Sequence, residues 1–189
     1  MSKPLSEMTL EELWRLFPIA LVESRSHWAE QFARERNALS ERLPDDCRIS
    51  HIGSTAIGGI RAKDIVDILV ELPSDRDLRA QAERLSALDY TVMSQNDARV
   101  SLCKGYTERG FADRVFHLHL RYIGDCDEIA FRDYLIAHSD VARAYESLKS
   151  ELSETYRYDR DAYTQAKGDF VRRYTELAKE ERRASACAD

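Results

Sequence analysis

Close cysteine pairs, a long apolar run and a surplus of positive charge are all missing from this chain of 189 residues. Cys47, Cys103, Cys126 and Cys187 lie far apart, without the short spacings of zinc sites or redox motifs, so they read as reduced thiols of a cytoplasmic protein. The N-terminal stretch carries charges throughout and no apolar segment is long enough to span a bilayer, which predicts neither signal peptide nor membrane contact. A formal net charge of −6 argues against a dedicated nucleic-acid binder, because affinity for phosphate backbones comes largely from clustered Lys and Arg. Local basic loops stay compatible with it. Neither a GK[ST] phosphate loop nor a G-x-S-x-G elbow occurs, which argues against P-loop kinases and α/β serine hydrolases. With no linker and no shift in composition, one domain over residues 1–189 is expected, its C-terminal part helical from about 127 to 184.

What is there concentrates between His51 and Glu71. A short apolar approach ends in Gly53-Ser54-Thr55, and the loop that follows holds Gly58, Gly59, Arg61 and Lys63. The glycine permits a close backbone approach, the hydroxyls offer hydrogen bonds and the cations add positive charge, a combination suited to phosphate. By itself Gly53-Ser54-Thr55 reads first as an ordinary tight turn and only second as a phosphate loop. The run from Ile65 to Leu72 is rich in β-branched residues and too short and evenly apolar for an amphipathic helix, which predicts a strand. Val66, Ile68, Val70 and Leu72 then form a core face, with Ile65, Asp67, Leu69 and Glu71 on the other. A carboxylate within such a strand costs several kcal/mol unless it is paired, hydrogen-bonded or metal-bound.

A second strand, Val115 to Tyr122, repeats the pattern. Phe116, Leu118, Leu120 and Tyr122 share one face, and His117, His119 and Arg121 the other. Around these strands, a capping box at Thr9 and Glu12 opens a short helix ending before Pro18, and a longer helix runs from Ser26 to Leu43. Ser74 is expected to cap a helix through Leu78, Ala82 and Leu85, followed by strands at Tyr90–Met93 and Arg99–Lys104 around a turn at 95–97. The polar segment 105–113 reads as a mobile loop. Helices are expected over 127–137, 139–156 and 161–184.

His51-Ile52-Gly53-Ser54-Thr55-Ala56, Ala62-Lys63 and Ile65-Val66-Asp67-Ile68 resemble the signature of GrpB-like proteins, a branch of the nucleotidyltransferase superfamily. The resemblance continues through His117-Leu118-His119-Leu120, Phe131-Arg132-Asp133-Tyr134-Leu135, Tyr145 with Leu148-Lys149, and Tyr163 with Lys167. It implies an α+β fold, a nucleotidyltransferase-like mixed β-sheet with helices packed on it and a C-terminal helical layer. In that fold a Gly-Ser turn holds nucleotide phosphates and carboxylates on the next strand hold Mg²⁺. Two departures stand out: Gly58 and Asp64 replace the family's usual prolines, and Leu69 occupies the place where active nucleotidyltransferases carry a second carboxylate.

On this basis Asp67, His119 and His117 are the expected catalytic and metal-binding residues, with Mg²⁺ or Mn²⁺ as the ion. Gly53, Ser54, Thr55, Arg61, Lys63, Arg121, Lys149 and Lys167 are the expected phosphate and nucleotide ligands. The expected partners are a nucleoside triphosphate and an acceptor, small molecule or protein, whose identity stays open along with the oligomeric state. The competing reading of Asp67 is a structural salt bridge, with Arg121 as partner; that of the histidines is a polar sheet face covered by a helix; that of the helical lysines is a solvated surface. Two other functions compete with transfer: a nucleotide-binding accessory module without catalysis, and a hydrolase using the His-x-His pair with Asp67 around zinc or manganese. Glu71 shares the face of Asp67 but lies roughly 13 Å away at strand rise, too far to chelate the same ion. Asp64 is expected to stand near Asp67 or in solvent, and His51 to shape the glycine turn.

Overall fold

The strict alternation of two strands fixes the centre of the fold. A computed structural model describes residues 3–186 and contains a five-stranded mixed sheet in the order β1-β2-β5-β4-β3. The strands are β1 (Arg48–Ile52), β2 (Val66–Leu72), β3 (Thr91–Gln95), β4 (Arg99–Thr107) and β5 (Gly110–Tyr122). The helices are α1 (Leu10–Leu16), α2 (His27–Ser40), α3 (Leu78–Leu85), α4 (Asp127–Ala137), α5 (Ser139–Thr155), α6 (Arg160–Ala166) and α7 (Gly168–Ala186). β2 and β5 run parallel at the centre, joined through α3 and the β3–β4 hairpin, and the other pairings are antiparallel.

One face of the sheet is the main core. Val66, Ile68, Val70, Phe116, Leu118 and Leu120 pack there against Trp28 and Leu39 of α2 and Leu78, Ala82 and Leu85 of α3. Burial of this apolar area contributes roughly 25 cal/mol per Å² removed from water, the chief source of stability. α2 is tied down by polar contacts as well: Lys104 Nζ lies 2.8 Å from Glu35 Oε1. The opposite face turns toward α4, α5, α6 and α7. A second apolar cluster there joins Ile57 and Ile60 of the signature loop to Phe131, Leu135, Val141, Ala142 and Tyr145. Among the described residues no helix is long and apolar enough to cross a membrane.

The structure corrects three local expectations. The cap of α3 is Asp77, whose carboxylate accepts from the amides of Arg79 and Ala80; Ser74 lies one turn too early. Segment 105–113 is not a mobile loop, because β4 continues to Thr107 and β5 starts at Gly110. Its polarity misleads, since Tyr106 and Phe111 close over the buried Phe17 ring, with centroids 4.7 and 5.0 Å away. Gly105, at φ +88, allows the bulge between Lys104 and Tyr106; an added Cβ would run into the Arg114 carbonyl. The last helix is broken, α6 ending at Ala166 and α7 starting at Gly168. The capping box at Thr9 and Glu12 is present. Cys47, Cys103 and Cys126 are free thiols, and Cys187 lies outside the described residues.

Candidate functional site

The polar face of the sheet and the C-terminal helices enclose a cavity of about 740 Å³. Parallel register sets Asp67 beside His117 and Leu69 beside His119, and β4 adds Ser101 opposite His119. Alternation therefore brings side chains from distant parts of the chain onto one surface. Gly53, Ser54, Thr55, Lys63, Asp67, His117, His119, Lys149 and Lys167 all line the cavity.

Asp67 is the centre. Its side chain is 28 % exposed, open to the cavity and not sealed against an arginine. His117 Nδ1 donates to Asp67 Oδ1 at 3.1 Å, and His119 Nε2 stands 4.0 Å from the same oxygen. Burial alone would raise the Asp67 pKa, but the hydrogen bond from His117 and the neighbouring His119 outweigh it and hold the carboxyl far below the usual carboxylate range. Asp67 is an anion at any physiological pH.

Gly53 serves this carboxylate before any ligand. At φ +70 its backbone is in a region that L side chains rarely adopt, and an added Cβ would collide with Asp67 Oδ2. His51 shapes the same turn: its Nε2 is 3.0 Å from Thr55 Oγ1 and its ring stacks on Phe32 at 4.8 Å. Burial pushes His51 down to about 4, against the pull of Asp67 and with help from Arg132. The ring is neutral at pH 7.

His117 is held at both nitrogens. Arg160 Nη2 donates to the Tyr106 hydroxyl at 2.8 Å, and that hydroxyl lies 2.8 Å from His117 Nε2. Because Nδ1 gives its proton to Asp67, Nε2 accepts from Tyr106. Burial lowers the pKa of His117 despite Asp67, with Lys63 and Arg160 adding to the effect, so this is a neutral donor. A continuous line thus runs Arg160, Tyr106, His117, Asp67. His119 has its Nδ1 3.4 Å from Ser101 Oγ and 3.5 Å from Arg121 Nη2. A guanidinium only donates, so Nδ1 accepts and Nε2 faces Asp67 with the proton.

Around this carboxylate stand four cations: Lys63 from the loop, Lys149 from α5, Arg160 from α6 and Lys167 from the α6–α7 junction. Lys149 is 2 % exposed, its Nζ donating to the Arg61 carbonyl at 2.5 Å and lying 4.9 Å from the Tyr145 ring centre. Lys167 lies 4.9 Å over Tyr163. Burial lowers Lys63 to about 7, with the charges of Lys167, Arg160 and Lys149 working in the same direction and Asp67 against them. Lys149 is brought to about 7 chiefly by burial and then by Lys167. The cations crowd one another around Asp67, with Glu146 a second acid acting on Lys149.

Three expected residues stand elsewhere. Arg121 is buried and directs Nη1 at the carbonyls of Val100 and Leu120, with Glu128 3.8 Å from its Nη2. It does not line the cavity, nor is it the partner of Asp67. The Arg61 guanidinium turns out to the Leu21 carbonyl at 3.2 Å and to Glu23 at 3.4 Å, and only its main chain serves the site, by holding Lys149 and Glu146. Asp64 neither faces Asp67 nor stands free in solvent: it accepts from Trp28 Nε1 at 2.7 Å and Arg25 at 2.8 Å, anchoring α2. Arg160, Tyr106 and Ser101 are the contributors that sequence reasoning missed. A signal for one of them exists, since Arg160, Tyr163 and Lys167 recur at the spacing of one helix face.

Among the described residues no three His, Cys, Asp or Glu side chains form a metal cage. Asp67 fits a single ion that draws its other ligands from water and phosphate, as Mg²⁺ often does; His119 Nε2 joins it only in the other tautomer, with the proton on Nδ1 toward Ser101 Oγ, whereas His117 has no nitrogen to spare. Leu69, fully buried, leaves no second carboxylate at the position two residues beyond Asp67.

The family model described as GrpB protein matches residues 18–177. The chain belongs to the GrpB family. It is 37 % identical over 160 residues to the glutamate-rich protein GrpB of Alkalihalophilus pseudofirmus, covering 81 % of this chain and 91 % of that one. To a UPF0157 protein of Pseudomonas aeruginosa it is 35 % identical over 159 residues, 82 % of this chain and 65 % of the relative, so it spans somewhat less than two thirds of that protein's length. The crystal structure of GrpB from Enterococcus faecalis superposes with a TM-score of 0.74 at 27 % identity, covering 86 % of this chain and 98 % of that one. The sheet and helices described above are the mixed α+β arrangement, a β-sheet with helices packed on it and a C-terminal helical layer, that the GrpB resemblance implies.

Proposed function

We propose that this GrpB-family protein binds a nucleoside triphosphate in the cavity between sheet and C-terminal helices, and transfers its nucleotidyl group to an acceptor. The observation that carries the reading is the convergence of the Gly53-Ser54 turn, the anionic Asp67 and four cationic side chains on one cavity. In the proposed reaction a nucleophilic atom of the acceptor bonds to the α-phosphorus while the bond to the bridging oxygen breaks and pyrophosphate leaves. Lys63, Lys149 and Lys167 hold the phosphates and offset the charge gathering on the leaving group, which supplies electrostatic stabilisation where the site excludes water. Asp67 and His119 would hold one Mg²⁺ or Mn²⁺, whose chemistry when bound is to neutralise charge on the phosphate oxygens. His117, fixed by Tyr106, keeps the Asp67 carboxylate oriented through its Nδ1–H.

A second reading, a nucleotide-binding module without turnover, is favoured by Leu69 and by the occupation of Asp67 by two imidazoles. The two separate in one experiment. Nucleoside triphosphates are titrated against wild type and Asp67→Asn with Mg²⁺ or Mn²⁺, binding being followed by calorimetry and turnover by pyrophosphate release. Metal-dependent release in wild type that is lost in the variant supports transfer. Binding without release in either protein supports the module, and absence of binding overturns both.

A further inference from the structure

The cations gathered around Asp67 are more than a site that depends on metal alone requires. Where an ion is the principal phosphate holder, the protein supplies free carboxylates to hold the ion; here Asp67 takes a hydrogen bond from His117 with His119 4.0 Å away, and the other carboxylates of the lining are engaged, Asp127 and Glu176 with Lys179 and Glu128 3.8 Å from Arg121. Lys63, Lys149, Lys167 and Arg160 supply the positive charge instead, and they approach from four places in the chain: the signature loop, α5, α6 and the α6–α7 junction. Lys149 is the most telling of them. It is almost wholly buried, and its one hydrogen bond is to a carbonyl oxygen, that of Arg61, and not to a carboxylate. Its other close neighbour is the face of Tyr145. Glu146, the acid next along α5, spends Oε1 on the Arg61 amide at 2.5 Å. Among the described residues no carboxylate lies within ion-pair distance of Lys149, Glu146 and Asp67 acting on it only through space, and a buried ammonium group so placed is costly unless an anion arrives to neutralise it.

We propose that the cavity takes a chain of linked phosphates directly on Lys63, Lys149, Lys167 and Arg160, so that binding of the polyphosphate requires no divalent cation. This deepens the reading of the cavity as a triphosphate site and rests on it for the identity of the natural ligand, while the claim of metal independence can fail separately. The ligand class is a polyanion with at least two contiguous phosphates, recognised by ammonium and guanidinium groups as charge-assisted donors. Arg160 already spends one donor on Tyr106 and keeps others for the ligand. Asp67 in this arrangement repels the ligand. It contributes to affinity only when an ion bridges it to phosphate.

That sign gives the test. Inorganic tripolyphosphate and a nucleoside triphosphate are titrated by calorimetry into the full chain in the presence of a chelator, then with Mg²⁺ replacing the chelator. The expected result is binding of both ligands in chelator, weakened about tenfold or more in Lys167→Ala and in Lys149→Met. Under the same conditions Asp67→Asn binds tighter than wild type, because a negative charge has been removed. Thermal melts of each variant distinguish weakened binding from misfolding, and Lys167→Ala, at a half-buried position, serves if Lys149→Met does not fold. Binding seen only with Mg²⁺, or weakened by Asp67→Asn in chelator, overturns metal independence and leaves the triphosphate site standing. Tripolyphosphate binding in chelator without any nucleotide binding supports this inference and overturns the nucleotide reading. No binding of either ligand with or without Mg²⁺ overturns both.

Discussion

The two faces of the central sheet are made by the same strands and obey different rules. On the face toward α2 and α3, every inward residue of β2 is apolar and fully buried, and the neighbours from β5 match it. On the face toward the C-terminal helices, the same strand presents Asp67, Leu69 and Glu71 in turn, so a charge, a dry leucine and a second buried acid follow at intervals of two residues. The first face is a continuous apolar layer whose members are interchangeable within limits of volume. The second works by individual contacts, each of which fixes the orientation of the next. Stability and function are thus separated across the thickness of one strand, and substitutions should separate in the same way.

The largest effect is expected on the apolar face, where Phe116→Ala should lower unfolding free energy by roughly 3–5 kcal/mol in denaturant titration. Leu69→Ala tests whether the other face is as dry at that position. Leu69 is fully buried, so a loss of roughly 2–5 kcal/mol is expected; a negligible loss would mean that the polar face is wet throughout. Gly53→Ala should cost of order 1–3 kcal/mol from backbone conformation alone. It should also displace the Asp67 carboxylate, seen as a changed His117 imidazole resonance in NMR.

A pH series addresses the cations. Lys63 and Lys149 titrate near 7 in the folded protein and near 10.4 when unfolded, so the unfolded chain binds more protons between those limits. Without ligand, stability should therefore rise from about pH 7 toward about pH 9, and the rise should be shallower in Lys149→Met, measured as the shift in denaturant midpoint. A stability that falls across this window would contradict the crowding of these cations. The smallest effect is expected from Tyr106→Phe. It removes the link between Arg160 and His117 at a cost of about 1 kcal/mol, with a change in the His117 titration as the more sensitive reading.

How much of this could be read in the sequence follows from the same contrast. The alternation of β2 and β5 declared both faces, because a period of two residues is a local property. The turn at Gly53 and the carboxylate at Asp67 were visible for the same reason. That Asp67 sits beside His117 depends on which strands are neighbours and in what register, which the resemblance implied and the structure supplies. Arg121 misled because alternation puts it on the right face without saying how far along the strand the cavity extends. Its guanidinium is used on backbone carbonyls beyond the end of the site. Arg61 misled in the opposite way, since its place in a cationic loop says nothing of whether the side chain or the carbonyl faces inward. Tyr106 was hidden in a polar segment whose strand character comes from its pairing across Gly105 and its packing on Phe17, both long-range facts.

Phe17 gives this last contact a wider reach. The ring ends the first helix, far from the carboxylate in sequence, yet it backs the tyrosine that steadies His117. A chain shortened to begin at Pro18 would keep every lysine of the cavity while removing the support behind its proton-bonded line, so affinity for anions and alignment of Asp67 would come apart. The first helix is, in that sense, a remote adjustment screw for a group it never touches.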